Sequence, residues 1–361
     1  MKAAVCYEFD KPLVIEDIDM RPAQAGEVKV RLSVTAVCHS DIHDIKGELG
    51  GDLPFVGGHE SAGYVEEIGP NVSSVKPGDP VVITLLKSCG TCFYCITGRP
   101  HLCETRFTPK ADPALRNKRG DALIPKGNVA GFAEYVLVDE SQIVKIPDDM
   151  PMDRAALLAC GVITGFGVVV NRAQVKPLSS VVVIGTGGVG LNAVQGAAFS
   201  GAYPIIAVDM LDSKLEAARS FGATHTVNAG QGDAIEAVKQ LTSGRGADYV
   251  FVTVGSIDAL RQGFSMSGNR GTTVIVGLPR VDDILSLSPF DFIGTERVLT
   301  GAFMGSTNIK ADIPRLVALY QAGSLKLDEL ITARYPLDEI NEAMAAVERG
   351  EALRNVIVFD K

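Results

Sequence analysis

The sequence predicts an α/β protein: a doubly wound parallel sheet, preceded by a β-rich domain and followed by a short C-terminal segment. Three observations carry this reading. Residues 1 to about 155 hold short apolar runs, among them EVKVRLSVTAV (27–37), SAGYVEEIG (61–69), DPVVITLL (79–86) and AGFAEYVLVD (130–139), punctuated by Gly, Pro and Asp. Beyond residue 160, wholly apolar runs alternate with segments of helical spacing, the pattern of a parallel sheet with helices on both faces. A glycine-rich turn, GTGGVG, joins the first of those runs to the first helix.

Taken in order, VKPGD (75–79) is a turn in which Pro77 presets φ and Gly78 permits positive φ. The stretch 104–127 is long, polar and charged, and reads as a loop. SVVVIGTGG (180–188) is a strand running into glycines, VGLNAVQGAAFSGA (189–202) a helix, YPIIAVD (203–209) a strand and SKLEAARSFGA (213–223) a helix. ADYVFVTVG (247–255) and GTTVIVGL (271–278) continue the series, which ends near RVLTGAFMG (297–305). Helices over 313–323 and 337–351 and a closing strand over 355–360 follow. The domains expected from this are 1–160, 161–303 and 304–361.

The chain has 361 residues, 46% hydrophobic and 21% charged, as in a well-packed globular protein. Its net charge of −9 and the scatter of its 34 Lys and Arg residues argue against nucleic-acid partners. The most apolar stretch, 155–170, reads as too short for a bilayer and as broken by Gly161, Gly165 and Gly167, so no membrane partner is expected. No long apolar run opens the sequence, which predicts no signal peptide and a cytoplasmic location. Seven cysteines, an odd number in a reducing compartment, favour metal ligation over disulfides.

Four of those cysteines, Cys89, Cys92, Cys95 and Cys103, lie in a lobe spanning about 87–104 with spacing C-x2-C-x2-C-x7-C. Tetrahedral zinc suits four thiolates in a compact loop; an iron–sulfur cluster and a redox dithiol are the other readings. A zinc held by four cysteines has no open position, so on that reading the lobe is structural. Gly185, Gly187 and Gly190, with Gly188 between, form G-x-G-x-x-G between strand and helix. Gly185 makes the turn, Gly187 admits a pyrophosphate to the backbone, and Gly190 lets helix and strand pack closely. Asp209 ends the next strand 24 residues after Gly185, where an acid bonds ribose hydroxyls and repels a 2′-phosphate, so NAD is expected over NADP.

The ordered motifs CHSDIH, GHESAG, the four-cysteine lobe, CGVITGFG and GTGGVG span essentially the whole chain and resemble those of the zinc-dependent alcohol dehydrogenases of the medium-chain dehydrogenase/reductase superfamily. The resemblance implies a GroES-like catalytic domain, a Rossmann coenzyme domain, and two zinc ions per chain, one catalytic and one structural. It assigns the catalytic zinc to Cys38, His59 and Cys160, a donor set that leaves the fourth position open. Asp41 and Glu60 match acids that orient His59 and tune the zinc. Ser40 and His43 match a proton relay through the coenzyme ribose, with zinc as Lewis acid; Ser40 also reads as a helix cap.

Further along, the resemblance places Lys214 on the adenosine ribose, Thr164 and Val189 near the nicotinamide, and Arg354 on the pyrophosphate, with Val276 among the cofactor-binding residues. His39 stands where some relatives carry Arg, and an imidazole holds a pyrophosphate less firmly than a guanidinium. Leu85, Leu278 and Phe303 are expected to line an apolar substrate pocket, so the implied substrate is a primary or aromatic alcohol. A homodimer joined through edge strands is expected, with a tetramer as the alternative. Glutathione-adduct formaldehyde dehydrogenases use a basic residue after the lobe and an acid before GHE. Phe107 and Leu49 occupy those positions here, with Arg106 and Glu48 one residue away. A catalytically silent NAD-binding sensor is the reading from another class.

Overall fold

The computed structural model describes residues 1–108 and 112–359. Asp360, included in the expected closing strand, and 109–111 of the expected loop lie outside the described residues. The chain divides into two compact units, one of residues 1–160 with 308–361 and the other of 161–307. The second boundary falls after 307, not 303. Gly305 explains the shift: a Cβ there would stand 2.1 Å from the Ile163 carbonyl oxygen, so 304–307 packs onto the start of its own unit. The Thr307 hydroxyl donates to the same carbonyl at 3.3 Å.

In the first unit, Lys2–Cys6, Val14–Met20, Phe55–Val56, Leu115–Asn117 and Ala122–Pro125 close a barrel. A seven-stranded sheet packs with it. Its central strand, Glu27–Ala36, pairs antiparallel with Glu60–Ile68, with Tyr135–Asp139 and with the C-terminal Arg354–Val358. The C-terminal segment thus returns to this unit by main-chain pairing. Alternate residues of Glu27–Ala36 (Val28, Val30, Leu32) are buried, the period-2 signature of a strand facing a core. The stretch 104–127 is not the structureless loop expected. It supplies two barrel strands, and the buried Asn117 ties their turn by accepting from Arg119 N and Asp121 N at 3.0 and 2.9 Å. Local polarity concealed a hairpin built around an asparagine.

In the second unit, strands β1 (Val181–Ile184), β2 (Ile205–Asp209), β3 (His225–Asn228), β4 (Ala247–Val252), β5 (Ser267–Ile275) and β6 (Val298–Gly301) form one parallel sheet in the order 3-2-1-4-5-6. That is the Rossmann order, which opens a ligand crevice where the order reverses, at the carboxyl end of β1.

The apolar stretch 155–170 is not broken by its glycines. It lies in a helical run, Met152–Ala173, of 22 residues, long and apolar enough in composition to cross a bilayer, but 83% of its most apolar window is buried in the protein. The glycines serve close approach. A Cβ at Gly165 would lie 2.1 Å from the Val189 carbonyl oxygen, and one at Gly167 would lie 2.6 Å from that of Gly305. Two π-helical turns, Leu158–Val162 and Val168–Ala173, interrupt the regular α-pattern. Gly165→Val should therefore force the helices around 163–167 and 188–199 apart and cost about 1–3 kcal/mol. Urea unfolding checks this; an unchanged midpoint would mean the helices yield without strain.

Candidate active site

Cys38 sits where the central strand Glu27–Ala36 gives way to the helix His39–Ile45, as that helix's N-cap. Ser40 is therefore not the cap. Its hydroxyl donates to the Cys38 sulfur at 3.2 Å. The capping acid is Asp41, buried at 2% exposure, whose Oδ2 accepts the Cys38 N–H at 2.9 Å. Its Oδ1 accepts the Gly58 N–H at 3.3 Å and lies 3.0 Å from His59 Nδ1. A carboxylate only accepts, so Nδ1 carries the hydrogen and Nε2 is left as the ligand atom. Gly58 has φ +86°, and a Cβ there would strike the Phe132 backbone at 2.7 Å, so only glycine lets the chain deliver His59 here.

Cys160 enters from the π-helical turn Leu158–Val162. The Cys38 and Cys160 sulfurs, a His59 ring nitrogen and a Glu60 carboxylate oxygen all lie within 4.8 Å of one another, and all four residues are buried. The Cys160 thiol first, then His59, hold Cys38 well below the ordinary thiol range. The same pairing, with burial, pushes Cys160 well above it. Burial opposes charge on His59, but Asp41 and Cys38 together raise it well above the usual imidazole value. This donor set fits zinc: two thiolates and an imidazole converge in a dry pocket, with one position facing a carboxylate.

Asp41 holds the His59 ring, and a Glu60 carboxylate oxygen lies within 4.8 Å of it. Glu60 also lies 2.5 Å from Arg354, and both are buried. Burial pushes the Glu60 carboxyl up to about 7, with Arg354 pulling the other way. Arg354, assigned by resemblance to a pyrophosphate, thus has its guanidinium buried against Glu60. His43 is bonded through Nδ1 to Glu48, a contact that sequence reasoning did not foresee. The exposed His39 ring meets His43 edge-on at 5.0 Å.

In the lobe, the four cysteine sulfurs also lie within 4.8 Å of one another. Cys92 and Cys103 sulfurs are 3.9 Å apart, close to the roughly 3.8 Å edge of a tetrahedron with 2.3 Å zinc–sulfur bonds. Backbone N–H groups already point at the sulfurs, from Cys89 to Cys103 at 3.2 Å and from Cys92 to Cys89 at 3.3 Å. The Thr91 and Cys92 amides hold Cys89 down at about 5, while burial and Cys92 push Cys95 up to about 12. The lobe fits a closed structural zinc. Arg106, beside it, donates to the Cys103 carbonyl at 2.9 Å, and Phe107 is exposed.

In the second unit, Gly185 has φ +86°, and Gly187 opens the helix Gly188–Phe199 with nothing within 4 Å of where its Cβ would be. A Cβ on Gly190 would stand 1.8 Å from the Gly185 carbonyl oxygen. The turn is thus a bare backbone cradle at a helix N-terminus, which fits the pyrophosphate of NAD. Asp209 faces it. Its Oδ2 accepts from Thr186 N at 2.7 Å and from Thr186 Oγ at 3.0 Å, and its Oδ1 from Met210 N and Leu211 N. Thr186 is a residue the motif's x concealed. Lys214 follows in the helix Asp212–Ser220. The Thr164 hydroxyl points at the Met304 sulfur at 3.7 Å, and Val189 and Val276 lie near the sheet's carboxyl end.

Of the three residues expected to line a substrate pocket, Leu85 packs against the core of the first unit, while Leu278, 47% exposed, and the half-buried Phe303 belong to the second.

Asp41→Asn should weaken metal binding at Cys38, His59 and Cys160 by roughly 10- to 100-fold while sparing the lobe. Competition with a chromophoric zinc chelator reads both sites. Equal weakening of the two would show that Asp41 supports the fold and not the ligands.

Residues 24–148 match the family described as alcohol dehydrogenase GroES-like domain, and residues 188–322 that described as zinc-binding dehydrogenase. The chain is 40% identical to an NDMA-dependent alcohol dehydrogenase of Amycolatopsis methanolica, over 99% of this chain and 98% of that one. Among solved structures it resembles an alcohol dehydrogenase zinc-binding domain protein from Burkholderia ambifaria, with TM-score 0.95, 34% identity and coverage of 100% and 99% of the two chains. It also resembles a benzyl alcohol dehydrogenase from Acinetobacter calcoaceticus, with TM-score 0.93, 34% identity and 99% of each chain covered. With ligand sets, dinucleotide turn and full-length similarity in agreement, the chain belongs to the zinc-dependent alcohol dehydrogenases of the medium-chain dehydrogenase/reductase superfamily and is an oxidoreductase.

Proposed function

We propose that this oxidoreductase oxidises a primary or aromatic alcohol to the aldehyde, reversibly, with NAD and two zinc ions per chain. The observation that carries this reading is the buried Cys38–His59–Cys160 constellation, whose imidazole Asp41 fixes in the ligating tautomer. Bound there, zinc supplies Lewis acidity and NAD accepts the hydride. The chain's own residues do the rest. Cys38, His59 and Cys160 hold the metal in a dry pocket. Ser40, on the Cys38 side of its helix, and His43, one turn on, would carry the alcohol proton outward. The glycine turn takes the pyrophosphate, and the anchored Asp209 carboxylate takes the ribose hydroxyls and repels a 2′-phosphate.

The benzyl alcohol dehydrogenase among the similar structures supports an aromatic substrate. The glutathione-adduct reading is the alternative; of its two stand-in residues, Glu48 contacts His43 and Arg106 donates to the Cys103 carbonyl. Because one relative is named for its dependence on NDMA, the assay is run with NAD alone and with NDMA added. Purified protein with benzyl alcohol, primary and secondary alcohols and the glutathione adduct should form NADH, fastest with the aromatic or primary alcohols. Cys160→Ser should lose at least about a hundredfold in rate. Turnover requiring NDMA would displace free NAD as the acceptor. No turnover at all with both metals bound would favour the silent sensor.

The chain is further proposed to form a homodimer through β6. That strand ends the sheet, with Val298 exposed, and Val281, Ile284, Phe290 and Ile293 are exposed in the segment before it. Val298→Lys should yield a monomer by light scattering. A dimer that persists would place the interface elsewhere.

A further inference from the structure

The loop after the helix His39–Ile45 is built around His43. The Glu48 N–H donates to the His43 carbonyl at 2.9 Å, and the Gly47 N–H to the Asp44 carbonyl at 3.0 Å. Gly47, Gly50 and Gly51 all take positive φ, at +73°, +67° and +112°. Three left-handed glycines in five residues fold the chain back on itself, a path other residues resist. Lys126 clamps the loop from outside, donating to the Gly50 carbonyl at 3.0 Å and pairing with Asp44 at 3.1 Å. A Cβ on Gly51 would lie 2.7 Å from the Lys126 ammonium. On the other side, Lys46 pairs with Glu348. The outcome is that Glu48 is bonded twice to His43, once through its backbone and once through its carboxylate on Nδ1.

We propose that Glu48 is a positioning residue for proton transfer: its carboxylate fixes His43 as the Nδ1–H tautomer, leaving Nε2 as the atom that takes the proton from the relay. This rests on the relay reading above. A carboxylate offers only acceptor atoms, so the hydrogen in the contact belongs to Nδ1, and the free lone pair is on Nε2. A proton arriving at Nε2 makes an imidazolium whose charge lies beside the carboxylate, and the proton then passes to water. No bond to carbon changes in this step. The His39 ring lies edge-on to it at 5.0 Å.

The chain has five histidines, so nitrogen-15 NMR of the imidazoles is tractable, with His43→Gln supplying the assignment. In the wild-type protein, His43 Nδ1 should resonate as protonated and Nε2 as bare. Glu48→Ala should shift the ring toward the other tautomer and lower kcat about tenfold with KM little changed. Added imidazole should restore part of the loss. Glu48→Gln, which keeps an acceptor and removes the charge, should retain the tautomer. A His43 tautomer unaltered by Glu48→Ala overturns the proposal. So does a shifted tautomer with kcat intact. In that case His43→Gln separates the causes: loss of turnover keeps the relay and removes only the role of Glu48, while full turnover removes the relay itself.

Discussion

The Asp41 carboxylate is the contact on which the site depends. It is buried, and it accepts from the backbone of one candidate metal ligand, the ring of a second and the glycine that introduces that second residue. A buried anion with so many donors is held in one orientation, because any rotation leaves a donor unsatisfied at a cost of about 1–3 kcal/mol. Cys38 and His59 come from different elements, 21 residues apart in the chain. Asp41 makes their separation a property of one side chain, and both the tautomer of His59 and the start of the helix that carries Ser40 and His43 follow from it.

Much of the fold was legible because its signals are local. The alternation of apolar runs with helical segments gave the parallel sheet, and GTGGVG in its strand–helix setting gave the turn that Gly185, Gly187 and Gly190 make. What escaped was what depends on a neighbour distant in sequence. Gly161, Gly165 and Gly167 read as helix breakers because intrinsic propensity penalises glycine. Packing overrides that penalty when another backbone must come within van der Waals contact, as Val189 does at Gly165. The polar stretch 104–127 concealed two strands because Asn117 satisfies its turn from inside the fold.

The site shows the same division. The four lobe cysteines were legible from their spacing, and Cys38, His59 and Cys160 from the resemblance; the structure brings the donor atoms of each set within 4.8 Å of one another. Their supports were not: Thr186 on Asp209, Glu48 on His43 and Arg354 on Glu60 are each a long-range or unmotivated pairing with no spacing rule. Glu48 had a sequence signal only for a different activity, as a near miss to an acid before GHE. The folded loop gives that carboxylate a partner five residues back.

The Glu60–Arg354 pair fits the charge of the candidate ligand set. A zinc dication held there by two thiolates and a neutral imidazole would be formally neutral. The neighbouring Asp41 carboxylate, and Glu60 wherever it is ionised, would leave the buried region negative, in surroundings where an uncompensated charge is costly. Arg354 is the one guanidinium buried beside them among the described residues, and Glu60, Cys38 and Cys160 together hold it firmly protonated against its burial. It is delivered by the C-terminal strand Arg354–Val358, which pairs with the same central strand, Glu27–Ala36, that leads into Cys38. This gives a physical reason for the chain's last segment to return to the first unit: it sets a buried guanidinium beside the candidate metal site, on a strand that pairs with the central strand, which also pairs with the strand that begins at Glu60.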